Sequence, residues 1–238
     1  MDSAWTWATQ DRYASFCLTF VRDQDPATVA DLLGGGPLAT RTAEQATRAY
    51  PAARRGSLLR CGTVPGWAYC YEDQGAVGFL PSRLELLSTG TELVQVVRGG
   101  DGMNLACRMV DGRLAERFEP GSADSGNWAL PGGRTASHCD GPALLAPRVA
   151  HLLSSQPELS GLLAALQAVG EHVGAVVSRP ELDGPLPTTF STFTEPRSTP
   201  RPPTRPHGLG PHLGTISLPN SFPGPSGQPS KVDRLFNG

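Results

Sequence analysis

The sequence is poor in lysine and has no dense basic region. Lysine occurs once, at Lys231, among 20 lysine and arginine residues, and the 238-residue chain has a formal net charge of −2 at pH 7. Residues 1–183 carry 15 basic against 20 acidic side chains. Proteins that bind nucleic acid use a concentrated basic surface. We therefore expect no nucleic-acid partner.

The sequence also lacks a secretory leader and a long apolar run. Its first residues, MDSAWTWATQDRYASF, have neither a basic start nor an apolar centre. No uncharged apolar run approaches the roughly 18–20 residues that cross a bilayer. The five cysteines are an odd number without paired spacing, which fits a reducing compartment. The sequence predicts a cytoplasmic protein with no membrane partner.

Common catalytic and phosphate-binding motifs are missing as well. There is no GxSxG elbow, and no Walker or Rossmann glycine pattern stands in its required context. The glycines Gly34–Gly36 follow a predicted helix, whereas a phosphate loop places its glycines before a helix, where free amides point at the anion. We interpret them as a helix stop. We assign no catalytic residue, no metal ligand and no cofactor.

Isolated nucleophilic and acidic residues leave alternatives open. Four cysteines are scattered among predicted strands with no CxxC pair: Cys17, Cys61, Cys70 and Cys107. This scatter favours core filling over a zinc site. His138, Cys139 and Asp140 are adjacent in a loop, and adjacent residues do not easily converge on one point, so a surface loop is favoured over a Cys–His catalytic pair. Glu72-Asp73 ends a strand, where we predict a solvated turn.

The sequence does contain clear strand and helix periodicity. Six runs alternate as strands do: Phe16–Val21, Ser57–Thr63, Trp67–Tyr71, Glu92–Val97, Asn104–Val110 and Arg113–Phe118. Pro65-Gly66 suits a type II turn, and Asp111-Gly112 is the strongest hairpin signal. Helical patterns occur at five places: after Asp25, within residues 40–55 as a loose helix followed by a loop, after Pro81, over about Pro142–Ser155 and over Glu158–Val173. The predicted fold is α+β, with an antiparallel, hairpin-rich sheet of about six strands and helices packed on one face.

The composition changes near residue 185. Of the 23 prolines, 12 lie between Pro185 and Pro229, and PRSTPRPPTRPH has polyproline-ligand spacing. Such a segment buries too little apolar surface to offset its conformational entropy. We predict a globular α+β domain over residues 1–184 and a proline-rich disordered tail over residues 185–238.

Several stretches resemble one family. They are Cys17-Leu18-Thr19-Phe20-Val21-Arg22, Asp25-Pro26 with Leu32-Leu33-Gly34-Gly35, Gly66-Trp67-Ala68-Tyr69, Leu87-Ser88-Thr89-Gly90-Thr91-Glu92 and Phe118-Glu119-Pro120. Together they resemble an uncharacterised actinobacterial domain of unknown function, over about residues 5–184. The resemblance implies a single domain and carries no established activity or catalytic residue.

Two groups of residues are candidates for contacting a partner. Trp67, Tyr69 and Tyr71 alternate on one strand face; the pattern favours core packing, and an exposed face would instead be an interaction surface. The second group is in the tail, where a linker or extension is favoured and the alternative is a segment that an SH3-like groove or an acidic surface binds: Arg201, Pro202, Pro203 and Arg205.

The composition and the missing motifs favour a non-enzymatic, cytoplasmic protein-binding module, such as an adaptor, a regulator or an immunity-type protein. The partner expected is another protein. The alternative is an enzyme or small-ligand sensor whose pocket is built from residues distant in sequence. A deep pocket with polar groups of perturbed pKa would favour this alternative, and a shallow acidic face with exposed aromatics would favour the binding module.

Overall fold

The computed structural model describes residues 4–50, 56–73, 75, 77–100, 102–122 and 142–192. Eight strands form one antiparallel sheet: β1 (Phe16–Arg22), β2 (Ala39–Arg41), β3 (Ser57–Val64), β4 (Trp67–Asp73), β5 (Glu92–Arg98), β6 (Asn104–Val110), β7 (Arg113–Phe118) and β8 (Leu186–Ser191). Their order across the sheet is β2-β8-β3-β4-β1-β5-β6-β7. The predicted α+β class and antiparallel sheet are confirmed.

Helices cover both faces of this sheet, where one covered face was expected. They are α1 (Pro26–Leu32), α2 (Ala43–Ala49), α3 (Pro81–Ser88), α4 (Leu145–Ser155), α5 (Gly161–Val173) and α6 (Arg179–Asp183), with 3₁₀ helices at Thr6–Thr9, Asp11–Tyr13 and Val77–Phe79. In the described part of the chain, no helix combines the length and apolar character that crossing a bilayer requires.

The two faces have separate cores because the central strands are apolar on both sides. On one face, Phe16, Leu18 and Phe20 pack with residues of α4 and α5. On the other face, Val21 packs with residues of α1 and α3. Strands buried on both faces lose the apolar–polar alternation of a half-exposed sheet. The apolar residues on both sides of β1 therefore require two helix layers.

Tight turns set the hairpin registers. Gly66 has φ of 75°, as the third residue of a type II turn requires, and the turn pairs Val64 with Trp67. Asp111 and Gly112 have φ of 49° and 73°, the conformation of a type I′ turn. Both predicted hairpins are confirmed, and each register follows from its two-residue turn.

The helix stop after α1 is also confirmed. Asp25 accepts hydrogen bonds from the amides of Ala27 and Thr28 at the start of the helix, and Pro26 occupies its first position. Gly34 then has φ of 78°, which glycine adopts without the strain that a side chain would cause. These glycines end a helix.

Strand β8 extends the ordered chain beyond the predicted boundary at residue 184. It pairs with β2 on one side and with β3 on the other, and so it is internal to the sheet. β2 and β8 raise the strand number from about six to eight. Pro187 hid β8 from sequence reasoning, since proline is expected only at edges or irregular positions of a sheet. Residues 193–238, the rest of the predicted tail, lie outside the described residues.

Candidate functional site

The aromatic residues proposed for partner binding lie in the core. Trp67, Tyr69 and Tyr71 are 6%, 2% and 3% exposed and pack in the cluster that α4 and α5 cover. Burial excludes the exposed aromatic surface and leaves the core interpretation. The tail candidates Arg201, Pro202, Pro203 and Arg205 lie outside the described residues, as do His138, Cys139 and Asp140.

A cavity of about 290 Å³ lies beside this core, at one end of β3 and β4. Its floor consists of Leu58 and Arg60 from β3 and of Tyr71 and Asp73 from β4. These side chains belong to two cross-strand pairs, Leu58 with Asp73 and Arg60 with Tyr71. The strand register therefore fixes their relative positions.

Three short helices form the walls of the cavity. The lining residues are Arg12 and Tyr13 from the 3₁₀ helix Asp11–Tyr13, Ala43, Glu44 and Thr47 from α2, and Leu182 and Asp183 from α6. A capping box of Thr42 and Gln45 fixes the start of α2, and one of Ser178 and Glu181 fixes the start of α6. Segments far apart in sequence thus meet around one space.

Asp183 holds two of these walls together. Its carboxylate accepts hydrogen bonds from the Tyr13 hydroxyl at 3.0 Å, from Nη2 of Arg12 at 2.9 Å and from Nε of Arg179 at 3.3 Å. Burial, and then the bond to Asp183, raises the pKa of Tyr13. Tyr13 is therefore a protonated donor at neutral pH, and Asp183 is engaged in structure.

Within the described part of the chain, Arg60 is a buried cation without a carboxylate partner. Its side chain is among the largest fully buried ones, and its Nη2 donates to the carbonyls of Arg41 at 3.0 Å and Gly184 at 2.6 Å. Its Nε has no hydrogen-bond partner among the described residues. Burial lowers the pKa of this guanidinium. A buried cation paired only with neutral carbonyls is costly to keep.

Tyr71 and Asp73 complete an incompletely paired floor. The buried Tyr71 hydroxyl has no hydrogen-bond partner among the described residues, and burial raises the pKa of this phenol well above its usual range. Burial also raises the pKa of Asp73, while Arg12 and Arg60 lower it. Asp73 and Arg60 feel each other's charge but do not form an ion pair. Polar groups of perturbed pKa thus meet in one cavity.

The arrangement is suited to holding a small polar molecule. Arg60 is a donor for an anionic group and Asp73 is an acceptor for a cationic one. Leu58 and Leu182 provide apolar contact on the floor and on one wall. A few convergent polar groups in a mixed-lined concave space are typical of ligand sites.

The neighbouring Glu72 corrects the predicted solvated turn. It is fully buried, on the opposite face of β4 from Asp73, and its carboxylate accepts amide hydrogen bonds from Val77 at 2.7 Å and Gly78 at 2.8 Å. Burial raises its pKa, and the bonds to Ser57 and to these amides oppose that shift. Glu72 therefore anchors the 3₁₀ helix Val77–Phe79 rather than facing solvent.

Other buried charges are engaged in the same structural way. Glu92 pairs with Arg22 at 2.8 Å, Arg108 at 2.6 Å and His172 at 3.0 Å, which ties α5 to the sheet. No group of three or more His, Cys, Asp or Glu residues in the described ranges is arranged to hold a metal ion. Buried polar atoms without a partner among the described residues also occur outside the cavity lining, at Nε of Arg41, Arg83 and Arg117 and at Oδ1 of Asn104.

The described cysteines fill the core as predicted. Cys17, Cys61, Cys70 and Cys107 are buried and unbridged. Burial raises the pKa of Cys107 to about 12 and raises that of Cys17 well above its usual range. Protonated buried thiols behave as small hydrophobes.

Sequence reasoning missed Arg60, although the signal for it was present. The two-residue turn at Pro65-Gly66 sets the register, and this register places Arg60 opposite Tyr71, on the aromatic face. A charged residue pointing into a predicted core is a functional hint. The walls have no such signal, because residues 12, 47 and 183 meet only through tertiary packing.

Comparison with known proteins gives a family and no activity. Residues 1–131 match the model of a family of unknown function, DUF6461. This match confirms the resemblance to a domain of unknown function and includes the whole cavity floor. Neither the curated proteins nor the solved structures contain a match to the chain.

Proposed function

The chain belongs to the DUF6461 family of unknown function, and from its own geometry we propose that it binds a small polar molecule in the cavity floored by Arg60 and Tyr71. The proposal places this binding in the cytoplasm. The described cysteines are all free thiols, which is the state that a reducing compartment maintains.

One observation carries the proposal: charged and polar side chains from β3, β4 and three short helices converge on one concave space, where Arg60 and Asp73 form no ion pair with each other. Among the described residues, Arg60 donates only to the carbonyls of Arg41 and Gly184. A concave space with a few convergent polar groups is typical of ligand sites. The volume of about 290 Å³ is near the small end of known ligand pockets.

Blocking the cavity tests this proposal. Thr47 is an exposed lining residue of α2, so Thr47→Trp places a large ring at the cavity without disturbing the core. Ala49→Trp is the matched control, because Ala49 is exposed on the same helix and does not line the cavity. Thermal unfolding of the natural protein, Thr47→Trp and Ala49→Trp is measured in the presence of each member of a library of small polar metabolites.

We expect at least one compound to raise the melting temperature of the natural protein and of Ala49→Trp, but not of Thr47→Trp. A ligand that binds only the folded state stabilises it by mass action. A library without any stabilising member would contradict the proposal, as would equal stabilisation of Thr47→Trp.

Protein binding is a second candidate, in the form of an adaptor, a regulator or an immunity-type protein. Two exposed apolar side chains favour it: Leu144 is 44% exposed just before α4, and Val176 is 40% exposed just after α5. An ion pair of Arg148 and Glu171, 2.6 Å apart, joins these ends of the two helices. The two side chains therefore lie at the same end of the helix pair.

Affinity capture from a lysate tests the second candidate. The full chain is compared with a Leu144→Asp, Val176→Asp double variant and with a chain that ends at residue 192, which keeps β8. A stoichiometric partner lost only from the double variant places binding at this end of α4 and α5. A partner lost only on truncation places binding in the tail that contains Arg201 and Arg205.

A further inference from the structure

We propose, building on the cavity-binding function above, that the ligand is a zwitterion of amino-acid size, whose carboxylate pairs with Arg60 and whose ammonium group pairs with Asp73. This names a class of ligand and a role for each charged residue on the cavity floor. One ligand then supplies an ion-pair partner for each of these two residues.

The charges around the cavity leave Arg60 and Asp73 uncommitted. Asp183 is bound by Arg12, Tyr13 and Arg179. Glu44 forms an ion pair with Arg48 one turn along α2. The Arg60 guanidinium reaches only carbonyl oxygens, and the hydrogen bonds of the described residues give Asp73 no partner. Within the described residues, Arg60 and Asp73 are thus the cavity charges without an ion pair, and Arg12 is the opposite charge that most lowers the pKa of Asp73.

The strand register sets a short span between these two groups. Arg60 is directly opposite Tyr71, and Asp73 is two residues further along β4, so Arg60 and Asp73 are diagonal neighbours on one sheet face. Diagonal neighbours in an antiparallel pair are about 7–8 Å apart. Two side chains at this spacing that form no direct ion pair leave room for a short ligand with opposite charges at its two ends.

Charge balance favours a zwitterion over an ion of one sign. A purely anionic ligand would pair with Arg60 but would place a second negative charge beside Asp73. A purely cationic ligand would pair with Asp73 but would bring a second positive charge toward Arg60. Like charges held close in a desolvated site repel strongly. Only a ligand with both charges satisfies both residues.

The same cavity limits the size of the ligand. A volume of about 290 Å³ accommodates one amino acid with its side chain against Leu58 and Leu182. A linear peptide carries the same two terminal charges, but separates them by one or more residues of roughly 3.3–3.6 Å each. The diagonal spacing of Arg60 and Asp73 therefore favours a free amino acid over a peptide.

The test measures binding of defined probes to the full-length protein by calorimetry. The probes are the twenty free α-amino acids, followed by matched analogues of the tightest one: its desamino acid, its decarboxylated amine and its dipeptides. We expect an amino acid to bind, and each single-charge analogue to bind about tenfold or more weakly, because each loses one charged hydrogen bond.

Two variants assign the roles of the residues. Asp73→Asn is expected to weaken binding of the amino acid about tenfold or more. Binding of the desamino acid is expected to stay unchanged or to become slightly tighter. Asp11→Asn, an exposed carboxylate outside the cavity lining, is the control and is expected to bind like the natural protein. Equal binding of the amino acid to the natural protein and to Asp73→Asn would overturn the assignment.

The outcomes separate this inference from the broader proposal. If metabolites other than amino acids stabilise the natural protein in the cavity-blocking experiment and no amino acid binds, the zwitterion inference is wrong and cavity binding stands. If dipeptides bind more tightly than any amino acid, the size argument is wrong. If no compound of either set binds, both proposals fail.

Discussion

The charge of Asp73 lowers the stability of the folded protein, because the carboxylate is partly buried. Burial raises its pKa from the reference value of 3.8, so the folded protein holds this proton more tightly than the unfolded chain does. Below pH 3.8 the carboxyl is protonated in both states. As the pH rises through the pKa in the folded protein, the buried charge forms and stability is lost. A residue that weakens the empty protein in this way is typical of a binding site.

Replacing Asp73 by asparagine therefore stabilises the protein in the absence of ligand. We expect Asp73→Asn to raise the melting temperature at pH 7 by about 1–3 °C, a shift that corresponds to about 0.3–1.5 kcal/mol for a chain of this size. The gain shrinks as the pH falls towards 3.8. Thermal unfolding across this pH range measures both effects.

Asp183→Asn is the matched comparison for that prediction. Asp183 accepts hydrogen bonds from Arg12, Tyr13 and Arg179, so its replacement weakens a network that joins two cavity walls. We expect a lower melting temperature at pH 7. If Asp73→Asn lowered the melting temperature as much as Asp183→Asn does, Asp73 would have a structural partner. That result would contradict its assigned role.

The buried cysteines give a prediction about chemical reactivity. Cys17, Cys61, Cys70 and Cys107 are buried, and thiols shielded from solvent react slowly with disulfide reagents. In a Cys139→Ala variant, we expect no rapidly reacting thiol in the folded protein and four reactive thiols in urea. A fast-reacting thiol in the folded variant would contradict the burial of these residues.

At the scale of elements, the start of α4 depends on a carboxylate from β7. Glu116 is buried and accepts hydrogen bonds from the amides of Leu144 and Leu145 at 3.0 Å and of Ala146 at 2.8 Å. The helix has no side-chain cap of its own. A strand residue thus provides the negative charge that the first amides of a helix require.

Removing the Glu116 carboxylate leaves the amides of Leu144, Leu145 and Ala146, at the start of α4, without their acceptor. We expect Glu116→Ala to lower the free energy of unfolding by about 1–3 kcal/mol. Urea titration measures the change. Glu85→Ala, which removes an exposed helix carboxylate, is the control and is expected to change stability by less than about 0.5 kcal/mol. If Glu116→Ala lowered the free energy of unfolding by as little as Glu85→Ala, water would be replacing the Glu116 carboxylate as the acceptor.

Strand β8 gives a prediction about the domain boundary. A chain ending at residue 184 loses the strand that lies between β2 and β3. We expect this chain to unfold at much lower urea concentration than the full chain, or not to fold. A chain ending at residue 192 retains β8 and is expected to unfold as the full chain does. Equal stability of the two truncated chains would contradict the internal position of β8.

The elements that sequence could predict are those whose signals are local. Two-residue turns at Pro65-Gly66 and Asp111-Gly112 specify two hairpins, and Asp25-Pro26 specifies a helix start. β8 could not be predicted, because its neighbours β2 and β3 are more than a hundred residues away and its Pro187 resembles tail composition. The second helix layer was signalled only by the apolar residues on both sides of β1.

At the scale of the whole molecule, the aromatic core predicts a spectroscopic property. Trp5, Trp7 and Trp67 are 3%, 2% and 6% exposed. In a Trp128→Phe variant, which removes the tryptophan outside the described residues, we expect blue-shifted emission that iodide barely quenches and a red shift on unfolding. Emission of the folded variant at the position of tryptophan in water would contradict the burial of all three.

The candidate site combines residues from distant parts of the chain, so only part of it could be predicted from the sequence. Its floor follows from one hairpin register, so Arg60 and Tyr71 could have been placed together from sequence. Its walls could not, because Thr47 and Asp183 are brought to the floor by the packing of α2 and α6. The burial of Glu72 was hidden for the same reason: its acceptor role depends on a 3₁₀ helix folding back over β4.

The position of β8 also has a consequence for the order of events during synthesis. The ribosome makes β8 last among the described strands, yet the sheet needs it between β2 and β3. Until residue 191 leaves the exit tunnel, β3 lacks its β8 neighbour and has an unpaired edge. An unpaired strand edge on a nascent chain can pair with a strand of another chain. α6, which supplies Leu182 and Asp183 to the cavity, emerges just before. The proposed ligand can therefore bind only once the domain is nearly complete.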